Sequence, residues 1–138
     1  MSVKLTDNSA EILYEAAKAK KAALEAVGLK AEGYAKKEIT NFPAVDTGRL
    51  RNSITHETVM EEGAEYIGTN VEYGKWIELG TGIYASDGQG RKDPWVYQDD
   101  EGNYHLTRGV RPVHFLKKAA TEHTKEYKEI VEEKFKNA

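Results

Sequence analysis

The sequence predicts an α+β fold: a long N-terminal helix, a small antiparallel sheet with a short helix and an extended β-hairpin, and a long C-terminal helix. Three observations carry this. Apolar residues recur at helical spacing near both ends of the chain, and the middle holds short alternating segments broken by glycine turns. No strand–helix–strand order and no fixed-period repeat is present, which excludes a parallel sheet and a solenoid.

From Thr6 onward TDNSAEILYEAAKAKKAALEAV begins with capping residues and continues with strong helix formers. Ile12, Ala16, Ala19, Ala23 and Val27 fall on one face, narrow and alanine-rich, so the helix is expected to lean on a larger neighbour. Glycine costs about 1 kcal/mol in a helix interior, so Gly28 and Gly33 make a kink or break near Gly28 an expectation. The pattern resumes at Ala31, Tyr34, Ala35 and Ile39 until Asn41, Phe42 and Pro43 stop it.

Asp46 or Thr47 can cap a short helical turn. Strands are expected from about Ser53 to Met60 and from Ala64 to Thr69, joined through Glu61-Glu62-Gly63, with Ile54, His56 and Thr58 alternating against Thr55, Glu57 and Val59. Val71 to Leu79 reads as a short helix stopped by Gly80-Thr81-Gly82. The stretch 85–93, ASDGQGRKD, is polar and glycine-rich and is expected to be a mobile loop. Trp95-Val96-Tyr97-Gln98 and Asn103 to Thr107 flank an acidic turn with Gly102, a hairpin signal. After Pro112 a last helix is expected, with Leu116, Ala119, His123, Tyr127 and Ile130 on one stripe, widened by Phe115, Ala120 and Val131.

With 138 residues the chain is expected to form one domain with a core that needs no staples. It has no cysteine, which excludes disulfide scaffolds, thiolate metal sites and thiol nucleophiles. No apolar run approaches a membrane span and no signal-peptide core opens the sequence, so no membrane partner is expected. Net charge is −3, with three basic and seven acidic residues concentrated in 42–82, so phosphate would be repelled there and no sequence-specific nucleic-acid binding is expected.

Catalytic patterns are absent. His56, His105, His114 and His123 form no helical i, i+4 pair, and no HExxH occurs, so a metal-dependent hydrolase built on His105, His114 and His123 has no motif behind it. The run Asp99 to Asn103 lacks the register of an EF-hand loop, and Gly80-Thr81-Gly82 and Gly88-Gln89-Gly90 lack the lysine ending of a phosphate loop. No serine sits in a nucleophile elbow. Neither a catalytic residue, a cofactor nor a metal ligand is assigned.

Three ordered segments do form a pattern. They are Asp46-Thr47-Gly48-Arg49-Leu50-Arg51-Asn52-Ser53-Ile54, then Tyr73 to Thr81 with Glu78 and Gly80, then Pro112-Val113-His114-Phe115-Leu116. On these motifs the chain resembles the tail-completion, or head–tail joining, proteins of tailed phages and prophages, the family typified by the tenth gene product of phage Hong Kong 97. The stretch Tyr97 to Gly109 is similar to a hairpin that many members insert, and His114 departs from the small or polar residue often found there.

The resemblance implies a non-enzymatic structural protein of the virion neck or tail top, assembled in the host cytoplasm. It implies a homo-oligomer, a hexameric ring, contacting a connector protein and a tail-tube protein. Trp95, Tyr97 and Tyr104 on the hairpin and Ala16, Ala19 and Ala23 on the first helix are the candidate interface residues, while the motif residues are expected to be structural. The alternative is a small peptide-binding or protein-interaction module using an exposed strand.

Overall fold

Most of the fold is laid against one helix. In the computed structural model, which describes residues 2–42, 47–99 and 101–137, α1 (Ser9–Thr40) runs unbroken for 32 residues. Its buried stripe is Ala19, Ala23, Gly28, Ala31, Ala35 and Ile39, and small side chains there let neighbours approach closely. The expected break at Gly28 does not occur. Gly28 lies where β2 (Ala64–Gly68) crosses, and the Glu65 side chain fills the space that a Cβ would take. Close approach, not flexibility, is the reason for the glycine.

α2 (Thr47–Ser53) leads into β1 (Thr55–Val59), which pairs antiparallel with β2 in the register Thr55↔Gly68 to Val59↔Ala64. The turn between them uses Gly63 at φ +61. One face of this two-stranded sheet meets α1, where His56 Nδ1 lies 3.1 Å from Glu32 Oε1. α3 (Gly74–Leu79) and a 3-10 turn, Gly82–Tyr84, follow. A separate hairpin, β3 (Trp95–Gln98) and β4 (Tyr104–Thr107), pairs Trp95↔Thr107 through Gln98↔Tyr104.

The expected last helix is divided. α4 (Phe115–Thr121) ends, and α5 (Thr124–Lys136) begins after Glu122 and His123. His123 has left the helical conformation, with φ −125, and its ring stacks flat on Tyr34 of α1 at 3.5 Å between centroids. The Tyr127 hydroxyl donates to the carbonyl of Ala119, satisfying an acceptor near the end of α4. From this break α5 runs back along α1, bringing Lys134 beside Ala19.

The core sits around the second half of α1: Ala35, Ile39, Leu50, Ile54, Val71, Phe115 and Ala119 are buried together, with Tyr34, Ile67, Tyr73, Ile77, Val113 and Leu116 packed around them. Fully burying a side chain such as Phe115 contributes about 1.5–3 kcal/mol.

Candidate interaction surfaces

The three motif segments meet in the core. Leu50 and Ile54 are completely enclosed, and Gly74 is needed because a Cβ there would press on Thr69 and Leu50. Ser53 Oγ donates to the Leu50 carbonyl at 2.6 Å and lies 2.5 Å from Thr69 Oγ1, which in turn accepts the Val71 N–H at 3.1 Å. Arg49 stacks its guanidinium over Tyr73. Gly48 lies within α2. The cap expected from Asp46 or Thr47 falls on Asp46 and on the Thr47 side chain, both outside the described residues.

Segments two and three clasp each other. Glu78 accepts the N–H groups of Leu116 at 2.8 Å and Lys117 at 2.9 Å, so a carboxylate from α3 caps the first turn of α4. The backbone of Val113 and His114 donates to the carbonyls of Ile77 and Glu78. Gly80, at φ +80, closes α3 against Pro112, and Thr81 pairs with Val110 through both its N–H and its hydroxyl. His114 is the one described non-glycine residue with positive φ, +54, and its Nε2 lies 3.3 Å from Ser86 Oγ. These bonds tie the second segment to the third through backbone and side chain alike.

Among the described residues the β3–β4 hairpin joins the rest of the chain at its base. Gly82 and Gly109 let 81–83 pass against 108–110 backbone to backbone, with Ile83 N–H donating to the Arg108 carbonyl. The 85–93 stretch, expected to be loose, has no helix or strand but is tied back: Ser86 donates twice to the Leu79 carbonyl, and Gly90 sits on the Gly82 carbonyl where no Cβ fits. Beyond this base the two strands pack chiefly on one another. Tyr97 stacks on His105, whose Nε2 is 2.6 Å from Asp99. That hydrogen bond holds the Asp99 carboxyl below its usual range. On the opposite face Val96, Leu106 and Tyr104 are 59%, 72% and 73% exposed. Tyr97 is also exposed and Trp95 half-buried. Besides the expected candidates Trp95, Tyr97 and Tyr104, the hairpin exposes Val96 and Leu106. The register pairs those two directly, and strict alternation in WVYQ and YHLT already places them on one face.

Of the alanines expected at an interface, Ala19 and Ala23 are buried inside the chain. The larger neighbour expected for this face lies in the same chain, where α5, β1 and β2 pack along α1. Ala16 is exposed, and just before it Ile12, Leu13 and Tyr14 are 65%, 69% and 67% exposed where α1 extends past its packing. Another exposed aromatic, Trp76, stands beside a cleft of roughly 360 Å³ shared with Lys75, Arg91 and Trp95.

Electrostatics around the α1–α5 seam are those of a fastened contact. Tyr34 donates its hydroxyl to Glu126, which also pairs with Lys30 at 3.4 Å, and this bond holds the Glu126 carboxyl down and pushes the Tyr34 phenol up. Burial pushes Tyr127 up to about 12. Among the described residues no cluster of three or more His, Asp and Glu could hold a metal ion, and no helix is long and apolar enough to cross a membrane.

Residues 4–80, more than half of the chain, match the family model described as "Bacteriophage HK97-gp10, putative tail-component". The match covers the first motif segment and the second up to Gly80, together with α1 and the β1–β2 sheet. No curated protein and no solved structure matches.

Proposed function

Because the chain belongs to the HK97-gp10-like family of bacteriophage tail components, we propose that it is a non-enzymatic, single-domain subunit that completes the tail or joins head to tail during virion assembly. It works as a ring of copies, six by the family resemblance, at the neck or tail top. Its partners are the connector protein on one side and the tail-tube protein on the other, and assembly takes place in the host cytoplasm.

The β3–β4 arm carries this reading. A two-stranded hairpin alone is marginal in water, and this one keeps large apolar side chains exposed on a face that its own chain leaves largely uncovered. A permanent neighbour would cover it. The acidic stretch 42–82 suits a conduit that DNA must pass without sticking.

Electron microscopy of the purified chain mixed with the connector and tail-tube proteins of its own phage tests the proposal. Ring density capping the tube or the connector is the expected result; a chain that binds neither would overturn it. The free edges of β3 and β4 favour a second reading, strand addition by an extended peptide. Screening a peptide library against the isolated chain separates the two, since a ring subunit would select no short consensus.

A further inference from the structure

Resting on the reading that copies of this chain assemble, we propose which charged surfaces meet: the basic collar at the base of the β3–β4 arm in one copy docks on the acidic outer face of the β1–β2 sheet in the next. The two surfaces differ from each other, so the contact runs head to tail, the kind that closes into a ring.

The sequence segregates the two signs. Residues 52–74, which hold β1 and β2, carry Glu57, Glu61, Glu62, Glu65 and Glu72 and no lysine or arginine. Residues 102–118, which run through β4 and the base of the arm into α4, carry Arg108, Arg111, Lys117 and Lys118 and no aspartate or glutamate.

Folding gathers each set. Glu57 stands opposite Tyr66 on the outer face of the sheet, and the turn beyond adds Glu61 and Glu62, all exposed, with Glu62 accepting the Tyr66 hydroxyl. Glu65 points the other way, to the Thr58 hydroxyl. At the arm base Lys75 and Arg91 line the cleft beside Trp76, Arg111 lies over Tyr84, and Arg108 passes backbone to backbone against Gly82.

Neither set is neutralised within the chain. Among the described residues Glu57, Glu61, Glu62, Lys75, Arg91, Arg108 and Arg111 have no ion pair. Opposite charges do stand nearby: Lys21 shares a groove with Glu25 and Glu57, and Lys20 donates to the Met60 carbonyl. Asp87 lines the cleft, Glu72 lies near Lys75, and Asp93 follows Arg91 and Lys92. Each surface still keeps an excess of its own sign, the glutamates over two lysines on the sheet and the lysines and arginines over three acids on the collar.

Both surfaces also expose an aromatic, Tyr66 at 53% and Trp76 at 56%, and Tyr, Trp and Arg are the side chains that dominate interface energies. Pairing either surface with its own kind would set like charges together. A chain of net charge −3 that carries the complement of its own basic collar favours a second copy over nucleic acid as the occupant.

Sedimentation velocity on charge-reversed chains tests the contact. Glu57→Lys with Glu61→Lys on the sheet, and Arg91→Glu with Arg108→Glu on the collar, alter exposed side chains, so each pair should leave the far-UV circular dichroism unchanged. Each is expected to weaken self-association about ten- to thirtyfold, because every reversal exchanges a surface attraction for a repulsion of similar size. An equimolar mixture of the two, in which each reversed surface meets the other, is expected to recover most of the loss. Raising salt from about 0.05 M to about 0.5 M should weaken the wild-type assembly.

The proposal is overturned if the mixture associates no better than its parts, if the variants assemble as the wild type does, or if the wild-type chain stays monomeric up to millimolar concentration. Trp76 and Trp95 are the chain's two tryptophans, so their quenching by a short DNA duplex in a chain that does not self-associate would assign the collar to phosphate instead. Variants that assemble undiminished and still bind connector or tail-tube protein sink this contact and leave the tail role intact. Recovery in the mixture without binding to either protein does the reverse.

Discussion

The carboxylate of Glu78 in α3 accepts the backbone N–H of Leu116, 38 residues later, and of Lys117 beside it. That pair of bonds starts α4 where the sequence offers no side-chain cap of its own, because His114 makes no capping bond there. It also locks the second family motif to the third, so that Phe115 enters the core at a defined angle.

Replacing Glu78 by alanine leaves two N–H groups of α4 without their acceptor. The expected loss is about 1–2 kcal/mol, or a fall of roughly 3–8 °C in melting temperature by calorimetry. Glu78→Gln, which keeps one acceptor, should fall between that variant and the wild type.

Gly82 and Gly88 share nearly the same left-handed backbone, φ +61 and +70, but not the same surroundings. A Cβ on Gly82 would run into the Arg108 carbonyl, whereas Gly88 faces open space. Gly88→Ala should cost about 1 kcal/mol, the conformational term alone, and Gly82→Ala more than about 3 kcal/mol. Limited proteolysis should cut the Gly82 variant within 85–93, showing that the base of the arm has opened.

At Gly28 the sign of the same substitution depends on its partner. In the wild type, Gly28→Ala should destabilise, because Glu65, held by the Thr58 hydroxyl at 2.6 Å, must move. In a Glu65→Ala background it should instead stabilise by about 1 kcal/mol, the helix preference of alanine over glycine. Urea midpoints of the four chains in this cycle measure the coupling.

Acid should weaken the fold in a defined direction. Burial pushes the Glu32 carboxyl up, but hydrogen bonds from His56 and Lys36 outweigh it and hold it below the ordinary 4.5; Asp99 and Glu126 are likewise held down. A depressed carboxyl stabilises above its unfolded value and loses that contribution as pH falls through its folded one. Urea midpoints should therefore drop between about pH 5 and about pH 3, and drop less in Glu32→Gln. On the alkaline side the raised Tyr127, near 12 against an ordinary 10.0, contributes fully below 10.0 and loses that contribution as pH climbs toward 12. Tyr127→Phe should flatten that limb.

Core and arm should separate stability from assembly. Phe115→Ala, at a fully enclosed site, should cost about 3–5 kcal/mol. Tyr104→Ser and Leu106→Ser, at strongly exposed sites, should shift stability by no more than about 0.5 kcal/mol by denaturant titration, yet reduce oligomer formation in sedimentation velocity.

Local pattern was enough for the α+β class, the order of elements up to the last helix, the β1–β2 and β3–β4 hairpins and the burial of Leu50, Ile54 and Phe115. Each of these depends on residues a few positions apart: a period of 3.6 or 2, a turn glycine, a proline. What needed the folded chain were relations across long separations. Periodicity leaves open whether Ala19 and Ala23 meet a neighbour in their own chain or in another; in the fold they are buried within the chain, where α5 runs back along α1 with His123 stacked on Tyr34, 89 positions apart. Gly28 reads as a weak point in a helix until β2 is laid across it. Periodicity tells which face of an element is apolar, but a face has no preference among apolar partners. Which faces are covered within the chain, and which stay exposed, as at Tyr14 and Leu106, is settled by how the packed elements compete for the same surface.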